Sequence, residues 1–236
     1  MDESPYVDCP YFKAGSLILV FGQSRSGKST WLKNVLLENE THFENPIKQL
    51  VYVYQKLDDN ISEVKRKFKT SATFIKNIPS DIDDNLVPGQ SVIVFDDCEL
   101  LLKKKQNRET LFNLGMINAH HNKVTVFISF QTYGIFYKKS PLNDLLDQAT
   151  NLILFGSMNF QNKSLKGFLN GYEIDLKGNQ TLYELFKEFV LQKGVEIDQK
   201  IQYRYLWIDL HPNLTRAEVW AHVLECDDQS LVSFHP

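Results

Sequence analysis

The residues with the clearest chemistry lie at positions 22–30, whose sequence is GQSRSGKST. This stretch matches the phosphate-loop pattern G-x-x-x-x-G-K-[ST], in which glycines let the backbone turn tightly and bring its N–H groups to phosphate oxygens. Lys28 supplies a positive charge for the β- and γ-phosphates, and the hydroxyl of Ser29 is a ligand for Mg²⁺. The pattern therefore predicts a site for ATP and Mg²⁺. The residues expected to bind the nucleotide are Gly22, Gln23, Ser24, Arg25, Ser26, Gly27, Lys28, Ser29 and Thr30.

A pair of acids ends the apolar segment Ser91–Asp97, SVIVFDD. In an open α/β sheet the end of such a strand lies beside the phosphate loop. We expect Asp96 to hold Mg²⁺, directly or through water, and Asp97 to act on the attacking water as a base or polariser. Glu99 is a second candidate base. The alternative interpretation is that these acids only cap a strand or begin the next helix.

Gln131 follows another apolar segment, Val124–Phe130. A neutral amide at this place could bridge the γ-phosphate and the attacking water, and so report the nucleotide state to the segment that follows. The alternative interpretation is an ordinary polar strand end. Gln131 therefore joins Lys28, Asp97 and Glu99 as a candidate catalytic residue.

Strands that alternate with helices must position these residues. Short apolar segments rich in β-forming residues predict strands, and amphipathic segments between them predict helices. The predicted strands are Leu17–Phe21, Gln49–Gln55, Thr73–Ile78, Ser91–Asp97, Val124–Phe130, Asn151–Phe155 and Arg204–Leu210, with Glu218–Leu224 a strand or a helix. The predicted helices are a segment from Thr30 to about Glu38, Ile61–Lys69, Arg108–Ala119, Leu142–Leu146 and Leu182–Leu191.

This order predicts an α/β fold, a three-layer P-loop NTPase sandwich with a mostly parallel sheet covered by helices on both faces. The strand Gln49–Gln55 stands between the phosphate loop and Asp96 along the chain. That arrangement fits the additional-strand class of ATPases, which carry a catalytic acid beside the Walker B aspartate. Nucleoside kinases usually lack it and carry an arginine-rich lid, which we do not find here.

Length and composition predict one domain. The chain has 236 residues, 43% of them hydrophobic. We expect an N-terminal arm at 1–14 and one ATPase domain at 15–236, of which 156–236 is less regular. The N-terminus has no apolar signal segment, no run is long enough to span a membrane, and Cys9, Cys98 and Cys226 are scattered. These features favour an intracellular protein that is neither secreted nor bound to a membrane.

Two basic runs are candidates for contact with nucleic acid. They are Lys65-Arg66-Lys67 and Lys103-Lys104-Lys105. Each could contact phosphates without reading sequence, and the second follows the paired acids directly. The alternative is a solvated charged face. The net charge of −3 excludes a strongly basic coat but not a local basic surface.

The motifs together resemble the viral genome-packaging ATPases of the FtsK/HerA superfamily, above all those of Maverick (Polinton) elements, virophages and poxviruses. The resemblance runs from about Gly15 to about Leu224. It rests on the ordered set GQSRSGKST, LVYVYQ, FIKNIPSD, SVIVFDD, LFNLGMINAHHNKVTVFISFQTYGIF and YRYLWIDLHP. It implies that Lys28 and Ser29 handle phosphate and Mg²⁺, that Asp96 and Asp97 are the Walker B acids, and that Gln131 is the sensor.

The resemblance also implies partners. They are double-stranded DNA bound without sequence specificity, a homo-oligomeric ring of five or six subunits, and capsid proteins. Relatives often carry an arginine shortly after the glutamine strand that acts on a neighbouring subunit, but Thr132–Phe155 contains none. The candidates for that role are Arg108, Arg204 and Arg216. The alternative functions are a nucleotide-dependent assembly switch with little turnover and, less favoured, a nucleoside or small-molecule kinase.

Overall fold

The apolar segments form the strands of one mixed sheet. The computed structural model describes residues 11–80, 82, 85–132, 142–156, 166, 167, 169, 181–189, 202–210, 218–225 and 232–234. The strands are β1 Leu17–Phe21, β2 Gln49–Tyr54, β3 Ser71–Lys76, β4 Ser91–Asp96, β5 Thr125–Phe130, β6 Asn151–Phe155, β7 Gln202–Asp209, β8 Glu218–Glu225 and β9 Val232–Phe234.

The sheet has a parallel part and an antiparallel part. The strand order is β3-β2-β4-β5-β1-β6-β7-β8-β9. All pairs from β3 to β6 are parallel, and β7, β8 and β9 add to β6 as antiparallel strands. The predicted mostly parallel α/β sheet is confirmed. The sequence pattern predicted either a strand or a helix for Glu218–Leu224. This segment is a strand, β8.

The phosphate-loop strand β1 and the acid strand β4 are not neighbours, because β5 lies between them. It pairs with β1 on one side and with β4 on the other, so it lies between the phosphate-loop strand and the acid strand. The predicted strand Gln49–Gln55, which follows the phosphate loop and precedes Asp96 along the chain, is β2, and it pairs with the far side of β4. The sheet therefore has an additional strand, β5, between the phosphate-loop strand and the acid strand, because crossover connections let a later strand insert between two earlier ones.

Helices cover both faces of the sheet. They are α1 Lys28–Leu37, α2 Asn39–His42, α3 Asp59–Lys67, α4 Lys105–Met116, α5 Leu142–Asp147 and α6 Leu182–Phe189. Alternate residues of each strand point to opposite faces, so Leu17 and Leu19 pack with α4, α5 and α6, whereas Ile18 and Val20 pack with α1 and α3. The two separate apolar clusters are the two interfaces of a three-layer sandwich.

Local sequence sets the ends of α3. The helix begins after Asp58, whose carboxylate accepts a hydrogen bond from the Ile61 N–H at 2.8 Å. It ends in Lys65, Arg66 and Lys67, so its charges are arranged as the helix dipole favours. Because α3 follows a parallel strand, it begins at the carboxyl edge of the sheet and runs back, which carries its basic end away from that edge.

The segment after β4 differs from the prediction. Cys98–Lys103 forms a 3₁₀-helix, α4 begins at Lys105 rather than Arg108, and a π-helical turn, Ile117–His121, continues it. Lys104 has an extended backbone, with φ −81° and ψ 129°, and it separates the 3₁₀-helix from α4. The amphipathic pattern detected the apolar face of α4 but not this break.

The chain joins the core before the predicted domain start. Phe12 is buried, stacks on Trp207 with ring centroids 4.3 Å apart, and contacts the rings of Phe43 and Phe127. The described end of the predicted arm therefore packs on the domain, and residues 1–10 lie outside the described residues. Across the described helices, none is long and apolar enough to cross a membrane.

Candidate functional site

The phosphate loop connects β1 to α1 as the sequence predicts. Gly27 has φ +93° and stands just before α1, and its carbonyl oxygen accepts the N–H of Trp31 at 2.8 Å. A positive φ of this size is strained for other residues, so glycine is needed here. The loop therefore ends at the amino end of a ten-residue helix, where free N–H groups favour an anion.

Lys28 is almost wholly buried at the loop. It is 5% exposed, and its Nζ donates to the carbonyl oxygens of Gly22 at 2.6 Å and Gln23 at 3.2 Å. Burial lowers the pKa of Lys28, while the charges of Asp97, Asp96 and Glu99 raise it. The fold thus brings the predicted lysine and the predicted acids into one electrostatic cluster.

Asp96 ends β4 with both carboxylate oxygens hydrogen-bonded. Oδ2 accepts from the Tyr52 hydroxyl at 2.8 Å, and Oδ1 accepts from the Ser129 hydroxyl at 2.6 Å. Burial and the charge of Asp97 raise the pKa of Asp96, and the hydrogen bonds from Ser129 and Tyr52 oppose that rise. Hydrogen bonds to the charged form therefore help to keep a buried carboxylate ionised.

Asp97 has a strained backbone beside this carboxylate. Its φ is +48°, in the left-handed region, and its N–H donates to the Ser129 hydroxyl at 2.9 Å. Its Oδ1 is buried, and it has no hydrogen-bond partner in the described part of the chain. A carboxylate oxygen in that position is ready to accept a bond from a ligand or water.

A cavity of about 220 Å³ joins the loop and the acid. Its walls combine hydroxyl and backbone donors on one side with a carboxylate on the other. The lining residues are Ser24, Arg25, Ser26, Gly27, Lys28, Ser29, Thr30, Asp58, Asn60 and Asp97. Six residues of the predicted loop from Ser24 to Ser29, and Thr30 after them, thus line one cavity, while Gly22 and Gln23 accept bonds from Lys28.

The donor set fits a triphosphate with Mg²⁺. The hydroxyl of Ser26 and Oδ1 of Asp97 are both buried, and neither has a partner among the residues that the structure describes. Mg²⁺ usually binds one or two protein oxygens together with phosphate oxygens and water. Ser29 lines the cavity and could supply one of them, whereas Asp96 is not among the lining residues and would act on the cation from behind the wall, through water. Across the described ranges, no group of three or more His, Cys, Asp or Glu forms another metal site.

Glu99 and Gln131 meet at the end of β5. Glu99 Oε1 accepts the backbone N–H of Thr132 at 3.0 Å, and the backbone of Gln131 also bonds its carboxylate. Burial raises the pKa of Glu99, and these backbone bonds lower it. Glu99 thus holds the backbone at Gln131, which follows β5, the strand between β1 and β4. Their catalytic roles stay predictions.

The candidate arginines lie in different surroundings. Arg108 donates from Nη1 to the carbonyl oxygens of Leu102 at 2.7 Å and Lys103 at 3.1 Å, so it holds the end of the 3₁₀-helix. Arg204 lies on β7, and its side chain, like the whole of Arg216, is outside the described residues. The role of an arginine acting between subunits stays a prediction for all three.

The two basic runs lie at opposite edges of the sheet. Lys103, Lys104 and Lys105 are exposed and follow β4 directly, so they lie at the edge where the phosphate loop lies. The exposed run of Lys65, Arg66 and Lys67 ends α3, at the other edge. Lys67 also pairs with Glu63 at 2.5 Å, and Lys105 with Glu109 at 3.4 Å.

The sequence patterns did not predict four polar residues of the site. Tyr52 and Ser129 bond Asp96, Asp58 lines the cavity from the position just before α3, and Asn60 lines it from the first turn of that helix. A signal existed for the first two, because each carries a hydroxyl at a buried position of a mainly apolar strand. Such a residue needs a hydrogen-bond partner on a neighbouring strand.

Known proteins share the fold at low sequence identity. No family model and no curated protein matches the sequence. The cytoplasmic domain of the type VII secretion ATPase EccC from Thermomonospora curvata matches with a TM-score of 0.51 and 13% identity, over 90% of this chain and 24% of that chain. EccC ATPases 2 and 3 in complex with a signal sequence peptide match with a TM-score of 0.50 and 12% identity, over 90% of this chain and 37% of that chain.

A weaker likeness is to the genome packaging NTPase B204 from Sulfolobus turreted icosahedral virus 2, with a TM-score of 0.46 and 14% identity, over 87% of this chain and 96% of that chain. The chain spans about a quarter and about a third of the two EccC chains. The strand order, the phosphate loop and the likeness to EccC show that the chain has the three-layer α/β fold of the P-loop NTPases.

Proposed function

We propose that the chain binds ATP with Mg²⁺ and hydrolyses it. The observation that carries this proposal is the cavity between the phosphate loop and Asp97, with Lys28 and the buried, unpartnered oxygen of Asp97 on its walls. A phosphate-binding surface that faces a carboxylate is suited to water attack on a phosphoryl group. A site for phosphate binding alone has no need of that acid.

Each residue has a role that its position allows. Lys28 and the loop N–H groups bind phosphate oxygens, and Ser29 and Asp96 would hold Mg²⁺, which when bound neutralises phosphate charge. Asp97 orients the attacking water and accepts its proton. Gln131, fixed by Glu99, lies at the same edge of the sheet and would contact the water or the γ-phosphate.

We infer further that hydrolysis drives double-stranded DNA through a homo-oligomeric ring, in the packaging of a viral genome into a capsid. The ordered motifs from GQSRSGKST to YRYLWIDLHP support this inference. The exposed lysines Lys103 and Lys104 support it too, because they lie at the phosphate-loop edge of the sheet. Lysines contact DNA phosphates without regard to sequence, as a translocating motor requires.

Steady-state ATP hydrolysis tests the enzymatic proposal. Wild type is compared with Lys28→Ala, which we expect to lose ATP binding, and with Asp97→Asn. Asp97→Asn should keep ATP binding while turnover falls by about 10²- to 10⁴-fold, the usual contribution of a positioned acid–base group. Unchanged turnover in Asp97→Asn would refute the assignment of Asp97.

The DNA proposal needs a separate comparison at low ionic strength. Double-stranded DNA should stimulate hydrolysis by wild type, and the double variant Lys103→Ala/Lys104→Ala should reduce that stimulation. The matched control is Lys65→Ala/Arg66→Ala, which removes the same charge at the opposite edge of the sheet. Hydrolysis that never responds to DNA would leave an ATPase but contradict the motor. A larger loss in the control would assign the DNA surface to α3.

The second candidate function is a nucleotide-dependent assembly switch with little turnover. One observation favours it. Arg108, a candidate for the arginine that acts on a neighbouring subunit, donates instead to the carbonyl oxygens of Leu102 and Lys103 in its own chain. A switch would bind ATP with Mg²⁺ and change its oligomeric state without hydrolysis. Sedimentation with and without a non-hydrolysable ATP analogue, beside the turnover assay, separates the two functions.

A further inference from the structure

Two hydroxyl groups from different strands hold the carboxylate of Asp96. Tyr52 reaches it from β2 and Ser129 from β5, the two strands that flank β4. The side chains of Tyr52, Ser129 and Asp96 are each no more than 3% exposed. We call Tyr52 and Ser129 the hydroxyl clamp. Because both oxygens of Asp96 accept a bond within the protein, the plane of the carboxylate is fixed before any ligand arrives.

The clamp also reaches the second acid. The Ser129 hydroxyl donates to Asp96 and accepts the N–H of Asp97 at 2.9 Å. That bond holds Asp97 in its left-handed conformation, at φ +48°. One hydroxyl thus sets the direction of both acids, and it lies on β5, two residues before Gln131.

We propose that Tyr52 and Ser129 are positioning residues, which hold Asp96 in the orientation that serves the divalent cation of the bound nucleotide. This inference rests on the proposed function, because it takes Asp96 as the residue that would hold the cation. The physical reason is that hydrogen-bonded partners behind a metal-binding carboxylate fix its orientation, and loss of one typically costs 10- to 100-fold in metal affinity.

A purely structural role makes a different prediction. If the two hydroxyls only satisfy a buried carboxylate, their loss lowers the stability of the fold but leaves cation binding by the folded protein unchanged. If they position Asp96, cation binding weakens in protein that is still folded. Direct measurement of the cation therefore separates the two roles, whereas activity alone does not.

Tyr52→Phe is the sharpest variant. It removes only the hydroxyl, and it keeps the ring that stacks on Phe74 with centroids 5.8 Å apart. The matched control is Tyr54→Phe, the same change on the same face of β2. The Tyr54 hydroxyl makes no hydrogen bond with another residue that the structure describes, and Tyr54 is not among the residues that line the cavity.

The experiment titrates Mn²⁺ into the full chain with a non-hydrolysable ATP analogue, and follows free Mn²⁺ by electron paramagnetic resonance. Analogue binding without metal is measured in parallel. We expect Tyr52→Phe to weaken Mn²⁺ binding about 10-fold and to bind the metal-free analogue like wild type. Tyr54→Phe should match wild type in both measurements. If Tyr52→Phe bound Mn²⁺ as tightly as Tyr54→Phe does, the positioning role would be refuted, while the proposed ATP hydrolysis would still stand.

A second variant keeps the test decisive if Tyr52→Phe does not fold. Ser129→Ala removes the bond to Asp96 and the acceptor for the Asp97 N–H, so it should weaken Mn²⁺ binding about 10-fold and also slow turnover. Normal Mn²⁺ binding by folded Ser129→Ala would refute the clamp. If wild type binds neither the analogue nor Mn²⁺, the proposed function fails and this inference fails with it.

Discussion

The ammonium group of Lys28 lies 2.6 Å from the carbonyl oxygen of Gly22, the first residue of its own phosphate loop. A second bond joins it to the Gln23 carbonyl oxygen at 3.2 Å. The loop is therefore closed around its lysine. The backbone at Gly22 sets where the positive charge lies, and any change that displaces Gly22 also displaces that charge.

Gly22→Ala should damage both the fold and the site. A Cβ at this position would lie 2.5 Å from Ser26 Oγ and 2.6 Å from Phe155 Cβ, so the loop or β6 must move. We expect the free energy of unfolding to fall by about 1–3 kcal/mol, the usual cost of overpacking, and ATP binding to be lost. Urea unfolding and equilibrium binding of ATP measure the two effects.

Gly115→Ala is the matched control for that change. Its Cβ would lie 3.4 Å from Leu145 Cδ2 and 3.5 Å from Ile128 Cδ1, which is ordinary contact, and Gly115 lies within α4. Replacing a helical glycine by alanine should raise the free energy of unfolding by about 0.5–1 kcal/mol. If Gly22→Ala were tolerated as well as Gly115→Ala, close packing would not explain the first glycine of the loop.

Sequence patterns predicted the parts of the site that depend on local spacing. The phosphate loop, the acid pair and the strands that precede them all lie where the patterns placed them, because tight turns and apolar strands depend on neighbouring residues. The three-layer sheet followed from the alternation of strands and helices. Local spacing was therefore sufficient to assign Lys28 and Asp96 to one candidate site.

The parts that depend on strand order were not predictable in the same way. Tyr52 is 44 residues from Asp96 in sequence, and Ser129 is 33 residues from it. Their bonds form only because β2 and β5 flank β4, and the order of strands along the chain does not predict which strands are neighbours in the sheet. Arg108 stays a candidate for contact with a neighbouring subunit, and its spacing in the sequence did not predict that the 3₁₀-helix brings backbone carbonyl oxygens within its reach.

The side chain of Arg25 should lower the stability of the fold and strengthen the binding of ATP. Its φ is +66°, a left-handed conformation that costs a non-glycine residue about 1 kcal/mol or more, and it is an exposed residue on the cavity wall. Arg25→Gly should raise the free energy of unfolding by about 1 kcal/mol. It should also raise the KM for ATP by about 10-fold, because a charged hydrogen bond to phosphate is lost.

Arg25→Lys is the control for charge, since it keeps both the positive side chain and the strained backbone. It should retain wild-type stability and a KM nearer to that of wild type than to that of Arg25→Gly. Urea unfolding and steady-state kinetics on the three proteins give both quantities. A KM for Arg25→Gly equal to that of wild type would show that the side chain makes no useful contact with ATP.

His42 should make the fold sensitive to mild acid. It is 5% exposed at the end of α2, and burial lowers its pKa from 6.5 to about 4. Between these two values the unfolded chain binds a proton that the folded chain does not. The contribution of neutral His42 to the free energy of unfolding is therefore fully present above the unfolded-state pKa. It is lost as the pH falls toward the folded-state pKa, and the loss is at most about 3 kcal/mol.

His42→Gln isolates this contribution from that of other groups. Urea midpoints at about pH 7 and about pH 5 should differ more for wild type than for the variant, because glutamine does not titrate. Glu38 Oε2 lies 3.8 Å from His42 Nε2, so a protonated His42 would gain a partner in the folded state and the loss would shrink. Equal pH dependence in the two proteins would show that His42 does not govern the acid response.

Cys98 should resist thiol reagents for as long as β4 and the 3₁₀-helix stay folded. It is 2% exposed, its Sγ lies 3.4 Å from the Asp96 carbonyl oxygen, and burial together with the charge of Asp96 raises its pKa to about 12. Only about one such thiol in 10⁵ is ionised at pH 7, and the thiolate is the form that reacts.

In a variant with Cys9→Ser and Cys226→Ser, Ellman's reagent should label Cys98 in urea but not in native buffer. Because ATP with Mg²⁺ binds only the folded site, it should slow any remaining labelling further. Rapid labelling of the native variant would mean that the segment carrying Asp96 and Asp97 opens readily, which is incompatible with a fixed pair of acids at the cavity.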